Sequence, residues 1–210
     1  MRFLVVADIH GEEETLFRIR KRMGSGEFDF LFICGDISKS ISFVEELVAG
    51  LEGKIFLIPG NWDPEQVNKF ILGSGACTHE KSVPLSDGIG LVGFGYSNIT
   101  PFDTYGELSE EEIYQRMSNL PIDNKTILLM HCPPKGFFDQ VGERNIGSES
   151  IKKIIEEKKP LIAFFGHVHD YEGIREYGGT TLVKVPPAIK MRGCIVQIEG
   201  RKIEIEFVIL

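Results

Sequence analysis

Seven side chains with nitrogen or oxygen donors, Asp8, His10, Asp36, Asn61, His131, His167 and His169, each stand just past the end of a short apolar run in this 210-residue chain. Imidazoles, carboxylates and an amide oxygen suit manganese, iron, zinc, cobalt or nickel. Seven such donors suffice for two divalent cations. A cation pair roughly 3.5–4 Å apart lowers the proton affinity of a shared water and clamps the oxygens of an anion. The chemistry these residue types write is therefore metal-assisted attack by water.

Residues so far apart in sequence meet only if the fold gathers them. The apolar runs 3–7, 28–34, 55–58, 127–130 and 161–165 have the length of strands buried on both faces. Helical patterns separate them. Leu16, Ile19 and Met23 recur on one face of 12–23 behind an acidic first turn, and Ile41, Val44 and Leu47 repeat the pattern up to Gly50. Ser109 with Glu112 forms a capping box, and Ser148 precedes Ile151, Ile154 and Ile155 in a helix that ends before Pro160. Strand and helix in alternation predict an α/β fold with mostly parallel pairing, whose strands end along one edge where ligands bind. Asp87-Gly88 and Gly178-Gly179 read as hairpin turns, and Ile203, Ile205, Phe207 and Ile209 alternate at period two, so these segments are expected as antiparallel strands. The longest irregular stretch is 95–108. Glycines at 11, 35, 60 and 166 adjoin the donors, where loops must bend sharply.

Composition narrows the partners. A formal net charge of −8, from 31 acidic and 23 basic residues, works against binding nucleic-acid polymers. Lys152, Lys153, Lys158 and Lys159 alternate with Glu156 and Glu157, as on a solvated helix face. The four cysteines include no CxxC pair, which excludes a zinc knuckle or thioredoxin-like motif and suggests reduced thiols. The apolar run before Asp8 is too short for a signal sequence, and no segment reads as a membrane span. The expectation is a cytoplasmic protein with one domain over 1–210, of undetermined oligomeric state.

The donor segments read ADIH, CGDIS, PGNWD, MHCPP and FGHVH. In order and spacing they resemble the calcineurin-like metallophosphoesterase superfamily, whose pattern is D-x-H, G-D, G-N-H-D/E, H and G-H-x-H. The resemblance spans Asp8 to His169. It implies a two-sheet mixed β-sandwich flanked by helices, in four αββα layers. It places one metal on Asp8, His10, Asp36 and His169 and a second on Asp36, Asn61, His131 and His167, bridged by Asp36. Manganese leads the candidates, with iron, zinc, nickel or cobalt also suited. Asp8, Asp36, Asn61 and His131 would then carry catalysis by holding a hydroxide between the ions.

One position departs from the pattern. Where the superfamily has the GNH histidine, usually assigned to leaving-group protonation or transition-state stabilisation, this chain has Trp62. Indole is no proton donor at neutral pH, and losing a general acid costs about 10²- to 10⁴-fold with poor leaving groups. Some small prokaryotic members that lack the histidine are phosphodiesterases. The expectation is hydrolysis of a small phosphodiester, nucleotide-related in the first instance, with Trp62 and Tyr96, Phe102 or Tyr105 as an aromatic wall. The alternatives are a phosphomonoesterase acting on nucleotides or phosphoproteins, a non-catalytic metal-binding scaffold for protein interaction and, disfavoured by charge, a nuclease.

Blander readings cover the remainder. His79 lies outside every motif and takes no role. Asp63-Pro64 reads as a helix start, with the Asp63 carboxylate as N-cap and Pro64 at the first helical position. Cys34 and Cys132 read as small core hydrophobes.

Overall fold

A computed structural model describes residues 1–200 and 202–210. In chain order the elements are β1 (Arg2–Val6), α1 (Glu13–Gly24), β2 (Phe30–Cys34), α2 (Ile41–Val48), β3 (Ile55–Ile58), α3 (Glu65–Gly73), β4 (Ser82–Pro84) and β5 (Gly90–Phe94). There follow β6 (Ser97–Asn98), β7 (Glu107–Leu108), α4 (Glu110–Ser118), β8 (Thr126–Met130), β9 (Gln140–Val141), β10 (Arg144–Asn145) and α5 (Glu149–Lys158). The chain closes with β11 (Ile162–Phe165), β12 (Gly173–Tyr177), β13 (Thr180–Lys184), β14 (Arg192–Glu199) and β15 (Lys202–Ile209).

Successive side chains of a strand point to opposite faces, and here both faces are buried. From β1, Phe3 and Val5, with Ala7 just beyond, face one apolar cluster while Leu4 and Val6 face another. Phe32 and Cys34 of β2 join the first, Leu31 and Ile33 the second. The shared cluster lies between two sheets, ordered β15-β14-β1-β2-β3 and β12-β13-β11-β8-β5-β4. Phe3 joins them, packing 4.6 Å from Phe32 in its own sheet and edge-on, 6.0 Å, to Phe164 of the other. Apolar faces of α1, α2 and α3 cover the outside of the first sheet, and those of α4 and α5 the outside of the second. The result is the four-layer αββα sandwich.

Pairing is parallel among β1, β2 and β3, and among β5, β8, β11 and β13. The hairpins at Asp87-Gly88 and Gly178-Gly179 form, but each joins an antiparallel edge strand to an inner strand that is parallel on its other side. The antiparallel pairings expected at these turns and along the C-terminal stretch are made, and the parallel partners of β5 and β13 are additional. Strand β2 starts at Phe30 rather than residue 28, the exposed Asp29 exchanging hydrogen bonds with the Arg2 backbone just before it. Phe28 stays buried beneath the Arg2 guanidinium. Both halves of the Ser109–Glu112 capping box are made, and the Ser148 hydroxyl accepts the Ile151 N–H. No described helix is long and apolar enough to cross a membrane.

Candidate active site

Because β1, β2, β3, β8 and β11 end at the same margin of the sandwich, the loops behind them face one another across the gap between the sheets. Three backbone bonds tie the first two together: Asp8 N–H to Gly35 O (3.1 Å), His10 N–H to Asp36 O (2.9 Å) and Gly11 N–H to Ile37 O (2.8 Å). The approach is too close for side chains on the intervening glycines. A Cβ on Gly35, at φ +83°, would stand 2.6 Å from His131 Nδ1, and one on Gly60 would stand 2.0 Å from Asp36 Oδ1. Asp8, His10, Asp36 and His167 all hold left-handed backbone, with φ of 56°, 54°, 52° and 74°. Asp and His tolerate this region better than most residues, yet such conformations cost about 1–3 kcal/mol each and persist where surroundings over-determine them.

The structure brings all seven expected donors together. His10 Nε2 lies 3.2 Å from His169 Nε2 and 3.7 Å from Asp36 Oδ2, and His169 Nε2 lies 3.7 Å from Asp8 Oδ1. On the other side, Asn61 Oδ1 is 2.8 Å from His131 Nε2 and 3.0 Å from His167 Nδ1, while His131 Nε2 is 3.4 Å from Asp36 Oδ1. Asp36 thus faces both groups. Asp8 also touches both, since its carboxylate accepts the His167 N–H through both oxygens at 3.1 Å and approaches His131 to 4.0 Å.

The donor set fits cations. Cys34 O, which only accepts, lies 2.7 Å from His131 Nδ1, so Nδ1 carries the proton and Nε2 presents a lone pair. The Asn61 amide nitrogen donates to Thr104 Oγ1 at 2.8 Å, which turns its oxygen toward the same point. Two lone pairs 2.8 Å apart repel unless a positive centre joins them. Burial pushes the His131 imidazole down, so protonation does not supply that centre. Burial likewise takes His167 down to about 3, and its Nε2 is buried without a partner. Burial, then the nearby Asp63 and Asp8 carboxylates, push Asp36 well up. Burial alone would raise Asp8 as well, but His169, Lys184 and His131 hold it far below the usual carboxylate range. The Asp8 carboxylate in turn raises His169, whereas burial lowers His10. Carboxylates buried beside imidazoles that burial keeps from protonation at His131 and His167 are what a divalent cation stabilises.

Asp63 corrects an expectation. Helix α3 does start after Pro64, with no side-chain cap. The buried Asp63 carboxylate instead accepts the N–H groups of Ile37 (2.8 Å), Ser38 (3.0 Å) and Gly60 (2.7 Å), clamping the β2 and β3 loops in register. Lys184 is a further residue that the sequence did not flag. It is fully buried, donates to Val185 O at 2.6 Å, and its charge acts on Asp8.

Two clefts open on the donors. One of about 530 Å³ is bounded by His10, Ser38, Lys39, Trp62, Asp63, His169 and Ile189. A narrower one, about 170 Å³, is bounded by Asp36, Asn61, Trp62, Phe102, Val141, Ile146, Val168, Asp170 and the paired histidines His167 and His169. Trp62 stands between them, 42% exposed, with Lys39 Nζ 5.5 Å from its ring. Phe102 shares the narrower wall. Tyr96 does not, because its ring packs against His79, 4.8 Å between centroids, and Tyr105 projects outward, 62% exposed. The apolar residues facing Phe102 come from the β9–β10 ribbon and its continuation, Val141 and Ile146, which carry no sequence signal. His79 is structural: its buried Nδ1 accepts the Gly95 N–H at 2.8 Å. Cys34 and Cys132 are buried core residues, as expected.

The family model for calcineurin-like phosphoesterases matches residues 1–171. The chain belongs to that family. It is a metal-dependent phosphoesterase, a hydrolase with the family's mixed two-sheet fold. This phosphoesterase is 33% identical to an uncharacterised protein of Methanocaldococcus jannaschii over 202 residues, covering 89% of this chain and 88% of the other. A dimetal phosphatase of Danio rerio superposes with a TM-score of 0.70 at 11% identity, covering 99% of this chain and 95% of that one. An archaeal phosphodiesterase does so with a TM-score of 0.58 at 11% identity, covering 99% and 100%.

Proposed function

We propose that this phosphoesterase binds two divalent cations and hydrolyses a small phosphodiester. Asp8, His10, Asp36 and His169 would hold one ion, and Asp36, Asn61, His131 and His167 the other, with Asp36 between them. Such a pair, manganese in the first instance, supplies Lewis acidity that activates water and neutralises charge on the phosphoryl oxygens.

The observation that carries the diester reading is the position of Trp62, which divides the approach to the donors into two clefts. A phosphodiester has two ester arms to place, a monoester one. The narrower cleft offers Trp62, Phe102, Val141 and Ile146 to an apolar or aromatic arm such as a nucleobase, and the wider offers Lys39 and Ser38 to a polar one. Trp62 donates no proton to a leaving group. Its backbone N–H instead holds Asp36 Oδ1 at 2.9 Å. Good leaving groups therefore suit the site better than poor ones. The net charge of −8 favours a small substrate over a nucleic-acid polymer, and four unpaired buried cysteines suit the reducing cytoplasm. The archaeal protein is named a phosphodiesterase and the Danio rerio one a dimetal phosphatase, so the names support phosphoester hydrolysis and leave mono- against diester preference to the test.

The test is hydrolysis of an aryl phosphodiester and the matching aryl phosphomonoester after loading with manganese. The expected result is a higher kcat/KM for the diester. Preference for the monoester overturns the substrate class, and inertness toward both across manganese, nickel, cobalt, iron and zinc favours the scaffold reading. Trp62→Ala should raise KM for the diester about fivefold, the worth of roughly 1 kcal/mol of aromatic packing, with kcat little changed. Unaltered constants would remove Trp62 from the substrate wall.

A further inference from the structure

The irregular loop between β5 and α4 folds around one carboxylate. Glu107 accepts the Thr100 hydroxyl at 2.6 Å, the Thr100 N–H at 3.2 Å, the Thr104 N–H at 3.0 Å and the Thr104 hydroxyl. Partial burial would raise Glu107, but these four bonds outweigh it and hold the carboxyl below its ordinary value. An ionised carboxylate only accepts, so the single hydroxyl proton of Thr104 is committed to Glu107. Thr104 Oγ1 then has only lone pairs for its other neighbour, the side chain of Asn61 at 2.8 Å.

We infer that Glu107, acting through Thr104, is a positioning residue that sets which way the Asn61 amide faces. With the amide nitrogen bound to Thr104, the oxygen points at His131 Nε2 and His167 Nδ1. Flipped, the amide would present N–H groups to that point and repel a cation. The backbone supports the same register. Gly106 N–H donates to Asn61 O at 3.1 Å, and Tyr96 N–H donates to Pro59 O at 3.0 Å. A Cβ on Gly106 would press to 2.7 Å from Gly60 O. The loop that carries Phe102 to the cleft therefore also orients a donor of the second proposed cation. Thr100, Thr104 and Glu107 lie outside every donor motif.

The inference rests on the two-cation reading of the site, and the experiment separates the two. Chelator-treated protein is titrated calorimetrically with manganese. Wild type is expected to take two equivalents. Thr104→Val keeps size and the backbone bond to Glu107 but removes the hydroxyl, and should weaken one equivalent about 10- to 100-fold, the usual effect of losing an outer partner of a metal ligand. Thr104→Ser should restore wild-type binding, and Glu107→Ala, which removes the oxygen that accepts the Thr104 hydroxyl, should behave like Thr104→Val. Circular dichroism of the metal-free variants checks that the fold is kept. Two equivalents of unchanged affinity in both Thr104→Val and Glu107→Ala overturn the relay alone. Failure of wild type to take up manganese overturns the cation reading and the relay with it.

Discussion

At the scale of single residues, Asp36 and His79 show what burial does to an acid and to a base: it pushes Asp36 up and His79 down. Asp36 faces His10 on one side and His131 on the other, so Asp36→Asn should lower turnover by on the order of 10²-fold or more, the scale of losing a preorganised charge. Manganese titration should show both equivalents weakened, and loss of only one would contradict its central place. His79 makes a pH prediction. Glu80, 3.6 Å from its Nε2, would favour the charged imidazole, but burial is larger and takes the group down to about 4. The neutral ring is also the form that accepts the Gly95 N–H. The unfolded chain binds this proton near pH 6.5 and the folded chain only near 4. Stability from this group is therefore complete above about pH 6.5 and falls by about 3 kcal/mol as the pH drops toward 4. Urea unfolding of wild type and His79→Gln at pH 4.5 and 7 reads it, and equal pH-dependent losses in both would refute it. The seven donors were legible because each is a ligand type standing at a strand end. Asp63 was misread because Asp-Pro before a helix has the same local pattern whether the carboxylate caps or reaches across to another loop. Thr104 and Glu107 were invisible, since an irregular loop has no periodicity to say what its side chains meet.

At the scale of elements, the readable features are those decided within a few residues. The Ser109–Glu112 box is local and forms as expected. Ser109→Ala should cost about 1 kcal/mol and lower Tm by roughly 2–4 °C in a chain of this size, while leaving metal uptake intact. An unchanged Tm would mean that α4 is held by its packing alone. The apolar runs behind β1, β2, β3, β8 and β11 were legible for the same reason, because burial on both faces leaves a continuous hydrophobic signature. Strands β5 and β13 are different. Their hairpin turns were visible, but the parallel partners β8 and β11 on their other sides are set by sheet order, which lies beyond any local window. Helix α5 ties its layer together through Lys158, whose ammonium donates to Ser118 O at the end of α4 and to Leu120 O just beyond it. Its lysines were expected on a solvated face, and that one does more.

At the scale of the whole molecule, the donors come from both sheets: Asp8, His10, Asp36 and Asn61 follow strands of one, and His131, His167 and His169 follow strands of the other. Cations bound between them should resist separation of the sheets. Manganese at 100 times its dissociation constant should add about 2.7 kcal/mol, read as a rise in Tm of roughly 5–10 °C, and the chelator should reverse it. No shift would mean that metal does not join the two halves of the site. Strand β1 carries the first two donors, yet one of its edges is covered by β14, nearly 190 residues further along the chain, through the register Arg2–Gln197 to Val5–Cys194. A ribosome-bound chain that has already presented all seven donors still lacks that neighbour. Until β14 is made, that edge of β1 stays open to wrong pairings. The pairing that completes the sheet around Asp8 and His10 thus comes after every donor segment has been synthesised.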